Sequence, residues 1–314
     1  IAGATAILND LTVNNRGTTT YSGGVLEING TKDFTNYGVF DITGPLNITT
    51  TDGTPSAIFY NWTGGTLSRS AGSGISRFDI LFGGATGDNF GTIDIAATDA
   101  SFDLGDIQQI FSWSTLKGSG TYIGNVTNKG GLVSPGGKEN IDSLSITGNY
   151  IQTSGILEIE SNNTGVAGTD YDLLAVSGTV DFSGGDIKHL NIAYVPTATD
   201  TFNAITCAGT TGCLTIAATN IIDFWGVSSS TSTAVTNGFQ YIVDTTGPIW
   251  IGPSTTGTYL WSNAANWSTT PTNGDDVFVP LLAADVNIQF DSTVGAPLSL
   301  NSLNSFESLS VVYS

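Results

Sequence analysis

Apolar and polar residues alternate along this chain in short runs, and one run recurs. GVLEI at 24–28, GVFDI at 38–42, GTIDI at 91–95 and GILEI at 155–159 all read glycine, apolar or Thr, apolar, acid, Ile. In an extended strand successive side chains point to opposite faces. Leu26 and Ile28, Phe40 and Ile42, Ile93 and Ile95, and Leu157 and Ile159 are therefore expected to face a core, while Glu27, Asp41, Asp94 and Glu158 face water. Each copy predicts a half-buried strand behind a glycine that turns the chain. Strand units that recur in this way are the mark of stacked architectures.

From residue 1 to about 135 the chain runs strand, Gly or Asn turn, strand, with short connections. Such a run has two main solutions, an antiparallel sandwich or a parallel β-helix in which each coil stacks on the last. Repeated asparagines favour the second. NYG at 36–38, NWTGG at 61–65, DNFG at 88–91 and NVTNKGG at 125–131 set Asn at turns, where stacked amides form a ladder. Between about 135 and 245 the strands lengthen but remain β, either continuing the solenoid or forming a compact sandwich. TTGPIWIGPSTTG at 245–257 has the prolines and glycines of a domain edge. The best helical pattern, Asp106 to Leu116, amounts to one or two turns. The expected fold is all-β: a parallel β-helix over 1–245 and a smaller second β module over 246–314, with tandem β-sandwiches as the alternative. The chain opens within the strand-like IAGATAILNDLTV and stops in mid-pattern at SVVYS, so it reads as a piece of a longer, processed protein with an uncapped C-terminal coil.

Composition narrows the function. The 314 residues include 40 glycines and 39% hydrophobic residues, enough for a long core. Eight basic against 27 acidic residues give a net charge of −19, so there is no basic footprint for nucleic acid or anionic lipid. No stretch approaches 18 uninterrupted apolar residues, and no membrane insertion is expected of this segment. Cys207 and Cys213, across a Gly- and Thr-rich turn, suit a disulfide closing a hairpin in an oxidising compartment, against the reading of two free thiols.

LKGSGTYIGNVTNKGGLVSPGG at 116–137, followed by IDSLSITGNYIQTSGILEIESNNTGVAGTDYDLLAVSGTVDFSGG at 141–185, resembles repeats of bacterial autotransporter passenger domains and related secreted β-helical adhesins. The resemblance spans the region of about 116–187 and under a quarter of the chain. It implies a secreted right-handed parallel β-helix at a cell surface, usually adhesive or structural, sometimes carrying an enzyme. WSNAANWSTTPTNGDDV at 261–277 looks like the entry to another module of such proteins. No C-terminal membrane barrel is recognisable and a cysteine pair is unusual for that group, which leaves the export route open.

Candidate chemistry is thin. His189, the single histidine, reads as an ordinary surface imidazole. Asp170 and Asp172 would share a strand face, as a glycosidase pair requires, but read more simply as turn and edge carboxylates. GSGIS at 72–76 lacks the strand-to-helix setting of a nucleophile elbow. Asp99, Asp103 and Asp106 are candidate ligands for a structural Ca²⁺, as are Asp275 and Asp276, because hard cations take carboxylate oxygens. Trp261 and Trp267 are candidate sugar-stacking platforms. The expected function is therefore an extracellular structural or adhesive segment, not an enzyme, partnered by itself, by neighbouring modules or by glycans, and including a self-assembling fibre or sheath subunit. A carbohydrate-binding module and a β-helical polysaccharide lyase or hydrolase are the alternatives.

Overall fold

The computed structural model describes the chain except residues 1–4, 52–56, 84–86, 106, 192–199, 209–212, 217–219, 224–232, 236–237, 243–246, 254, 280–285, 291–298, 301, 306–307 and 312–314. Strands dominate it, and the pairing is parallel throughout the first module except at its end. Three faces, here A, B and C, are visited in turn by each coil. Coil 1 is Thr5–Asn9, Val13–Asn15 and Thr18–Tyr21, and coil 2 is Gly24–Asn29, Phe34–Asn36 and Val39–Ile42. In register, Thr5 lies on Val25, Val13 on Phe34 and Thr18 on Val39. Nine such coils follow one another, the ninth being Thr201–Cys207, Leu214–Ile216 and Asn220–Asp223. In coils 6 and 7 a single long strand, Val126–Pro135 and then Tyr150–Ser161, bends through the corner between faces B and C, which merges those faces into one sheet.

This is a parallel β-helix, and the tandem-sandwich alternative fails because successive strands stack instead of pairing as hairpins. The solenoid continues beyond residue 140. Face A then closes with two antiparallel strands, Gly238–Ile242 against Thr201–Cys207 and Thr233–Val235 against Gly238–Ile242. The helical attempt near Asp106–Leu116 is instead two strands, Ile107–Ile110 and Thr115–Gly118, held by axial pairing that local propensity does not record. After Ile249, the last residue of the first core, a second core gathers Trp250, Trp261, Trp267, Val277, Val279, Val286 and Ile288. That module also stacks in parallel, Gly257–Leu260 on Val286–Phe290 on Ser308–Val311, and Asp276–Val279 on Ser302–Ser305.

The recurring pentads fall as their alternation requires. All eight inward residues, Leu26 to Ile159, are buried. Three of the four copies lie on face C, and their opening glycines Gly38, Gly91 and Gly155 occupy the same B–C corner. A Cβ on Gly38 would lie 2.1 Å from the Gly17 carbonyl oxygen, and one on Gly155 would lie 2.5 Å from that of Gly131. The glycine is there because the preceding coil fills the space a side chain needs.

Beside these glycines runs the expected amide ladder. Asn15 Nδ2 donates to Asn36 Oδ1 at 2.8 Å, Asn36 to Asn61 at 3.0 Å and Asn61 to Asn89 at 3.1 Å. Each of these three amides also donates to a backbone carbonyl one coil on, those of Val39, Thr66 and Thr92. Ile110 interrupts the column, and it resumes with Asn128 donating to Gln152 Oε1 at 3.4 Å. Inside the ladder the rings of Phe34, Phe59 and Phe82 stack, with centroids 4.8 and 6.0 Å apart.

Because Asn61 is both donor and acceptor in this column, Asn61→Ala takes from the Asn36 amide one of its two acceptors and from the Asn89 and Thr92 oxygens their side-chain donor. A loss of about 2–4 kcal/mol is expected from buried groups left unsatisfied. The exposed Asn47→Ala should change stability by less than about 0.5 kcal/mol. Urea midpoints followed by far-UV circular dichroism measure both, and equal midpoints for the two variants would deny the ladder its role.

Candidate functional site

The residues singled out for ligand or metal binding are scattered. Trp261 and Trp267 are not platforms: they are 2% and 3% exposed. Trp261 stacks on Phe290 at 4.1 Å, and Trp267 Nε1 donates to the Trp261 carbonyl at 2.9 Å. The small second module packs its tryptophans into its core beside Val277, Val279, Val286 and Ile288, since each ring buries a large apolar area. Asp103 is paired with Arg77 at 2.9 Å, one coil below on face A, and Asp99 lies exposed ahead of that strand. Asp106 lies outside the described residues. Asp275 caps its own turn, accepting from Thr272 N at 2.7 Å, and the side chain of Asp276 is not among those described. Among the described residues no group of three or more His, Cys, Asp or Glu side chains is placed to hold a metal ion.

Cys207 and Cys213 are joined by a disulfide. It does not close a hairpin. Cys207 ends a face A strand and Cys213 precedes the face B strand Leu214–Ile216, so the bond staples a corner of coil 9.

The face C acids are spaced by their neighbours. Asp41 and Asp94 lie on either side of Ser68 in register, Asp94 bonds Lys117 at 2.9 Å, and Glu158 bonds Lys188 at 3.1 Å. That last pair fixes the phase of Asp186–Asn191. With Lys188 outward over Glu158, His189 points inward over Ile159 and is fully buried, contrary to the surface position its sequence suggested. Its Nε2 lies 2.8 Å from Ser161 Oγ, and its ring lies 4.7 Å from that of Phe202. Burial pushes the imidazole down to about 3, so it is neutral across ordinary pH.

Two buried carboxyls lie on the same coils. Asp172 accepts from the backbone N–H of Asp142 at 2.9 Å and of Glu160 at 2.8 Å. Glu160 accepts from the N–H groups of Glu139 at 2.9 Å and Asn140 at 3.0 Å. Desolvation raises both; Asp172 reaches about 9 despite its two N–H partners, with the nearby Glu160 and Glu158 adding to the rise. Asp170 serves its own loop, accepting from Val166 N at 2.6 Å. Asp170 and Asp172 are thus each committed to backbone, and the Ser161 and His189 pair is a polar inclusion in the core.

The exposed aromatic residues gather elsewhere, on the outer side of the B–C corner one position beyond the amide ladder. Arg16 lies over the Tyr37 ring at 4.7 Å. Trp62 packs on Phe90 at 4.8 Å with planes 46° apart, and Phe90 stacks on Phe111 at 5.0 Å and 7°. Trp113, in the turn after Phe111, is 73% exposed, and Trp62 is 41% exposed. Sequence reading had no way to set these two tryptophans on one corner, because their separation depends on coil lengths.

Comparison with protein-family models, curated proteins and solved structures finds no match to the chain.

The buried groups set a pH dependence. Between the unfolded value of 3.8 and the folded value of about 9, Asp172 holds a proton only when folded, so its contribution declines as pH rises through that window. His189 acts oppositely between 6.5 and about 3, where the unfolded chain takes a proton that the core refuses. The two offset each other between about pH 4 and 6.5. Above pH 6.5 stability should fall toward pH 9, by at most about 1.4 kcal/mol per pH unit from Asp172. Urea midpoints across pH 5–9 test this: Asp172→Asn should be less stable at pH 6 yet show a shallower alkaline decline, and an unchanged slope would assign the effect elsewhere.

Proposed function

We propose that this chain is a shaft segment of an extracellular surface protein, structural or adhesive and not catalytic, of the kind found in bacterial autotransporter passengers. The observation that carries the reading is the nine-coil stack whose inward asparagine amides are spent on one another. A rod of nine coils at a strand spacing of about 4.8 Å is about 43 Å long, a spacer built with little sequence devoted to chemistry. The Cys207–Cys213 disulfide supports an oxidising compartment. His189, Asp172 and Glu160, the groups best suited to acid or base work, are buried and bonded within the wall. The antiparallel pair on face A interrupts parallel addition there, which favours a shaft joined to neighbouring modules over a subunit adding coil on coil.

Antibodies raised against the folded chain test the location. Intact source cells should label without permeabilisation, and the native protein alkylated without reduction should retain the Cys207–Cys213 cross-link by mass. Labelling only after permeabilisation, together with two alkylated thiols, would overturn the proposal.

A further inference from the structure

The B–C corner carries an outward aromatic stripe that the shaft does not require, and we propose that it binds an extended, uncharged β-linked glycan. Trp62 and Trp113 are large apolar surfaces held at solvent on a chain whose other tryptophans with assigned burial, Trp250, Trp261 and Trp267, are all in a core. They sit in the turns of coils 3 and 5, two coils apart, which sets them about 10 Å from one another along the axis at roughly 4.8 Å per strand. Phe90 in coil 4 continues the stripe from Trp62, on which it packs, to Phe111 in coil 5, with which it stacks face to face, and Trp113 stands exposed two residues beyond Phe111 in the same turn.

The neighbouring column on face C is hydroxylic. Thr66, Thr92 and Thr115 are in register, half-exposed, and each opens the strand that follows the corner. Aromatic faces beside a row of hydroxyls at one group per coil suit a linear polyol whose rings present apolar faces and whose edges form hydrogen bonds. The stripe is confined to the short turns of one corner, Trp62 to Gly65, Phe90 to Gly91 and Phe111 to Ser114, too narrow for a protein interface of ordinary size. Charge selects the class of glycan. The column positions between Arg16 and Lys129 hold only Tyr37, Trp62, Phe90 and Phe111, the adjacent Asp94 is tied to Lys117, and a net charge of −19 disfavours an anionic polymer. This inference concerns a ligand surface and stands or falls independently of where the protein is located.

The test is affinity electrophoresis and calorimetry of the whole chain with soluble mixed-linkage β-glucan, xyloglucan and glucomannan, with amylose and polygalacturonate as comparison polymers. Binding to at least one neutral β-linked polymer is expected, weakened roughly tenfold by Trp62→Ala or Trp113→Ala. The double variant should lose binding, while Ile75→Ala, an exposed apolar change on face A, should bind as the parent does. Far-UV spectra and melting temperatures identical to the parent's establish that the tryptophan variants remain folded. Failure to bind any of the three neutral β-linked polymers, preference for polygalacturonate, or undiminished binding by a folded double variant would each overturn the proposal. So would sedimentation showing that the parent self-associates through this stripe and that the double variant does not.

Discussion

Axial in-register stacking is the constraint from which the other features follow. In a parallel β-helix the nearest neighbour of a side chain is the residue at the same position one coil on, about 4.8 Å away. A column is therefore stable only if its members tolerate each other at that distance. Amides meet this condition, since each donates one way and accepts the other, and Asn15, Asn36, Asn61 and Asn89 form such a column. Aromatic rings meet it by stacking, inside as Phe34, Phe59 and Phe82 and outside as Phe90 and Phe111. Carboxylates do not, because like charges at that separation repel. The outward acids of face C accordingly alternate with Ser68, Lys117 and Lys188.

The departures from column logic occur where the wall is interrupted. Between coils 6 and 8 the chain leaves the stack at the C–A corner through 136–142 and 162–172, and backbone N–H groups there lose their axial acceptors. Glu160 and Asp172 replace those acceptors, taking two N–H groups each. Glu139 adopts a left-handed backbone, φ 61°, in the first of these loops. Burial makes ionisation of the carboxyls costly, but an unmet N–H in the wall is costly too, and Asp172, raised to about 9, resolves both by meeting the N–H groups while holding its proton.

The parts of this fold that were legible in the sequence are those fixed by strand periodicity and by self-complementary chemistry. Alternation placed Leu26, Phe40, Ile93 and Leu157 inside without reference to any partner, and asparagine at turns announced the ladder. The family resemblance, carried by residues 116–137 and 141–185, led to the same architecture. What could not be read depended on which residues lie one coil away. Ladder partners are separated by 21, 25 and 28 residues in successive coils, so the repeat has no fixed period to extrapolate. His189 needed the Lys188–Glu158 pairing to set its phase, and the cysteine turn looked like a hairpin because two faces meeting at a corner resemble two strands meeting at a turn. Trp261 and Trp267 were drawn to the surface by composition, whereas a small module needs them in its core.

Variation in coil length also locates where such a protein is free to change. Residues within the faces are bound by the coils above and below, so an insertion there would shift the register of every later strand. At a corner the chain bulges outward and returns to register. Between the amide position and the next face C threonine, coil 4 has two residues, Phe90 and Gly91, while coil 3 has four, Trp62 to Gly65, and coil 5 has four, Phe111 to Ser114. The two exposed tryptophans of this corner sit in the two longer turns, where the stack makes the least demand on side-chain identity. A large apolar group retained at such a position draws little from the packing beneath it, and its exposure carries a cost in water that burial elsewhere would have avoided. The corner turns, and not the faces, are thus where a solenoid of this kind can present chemistry to a partner without disturbing the columns that hold it together.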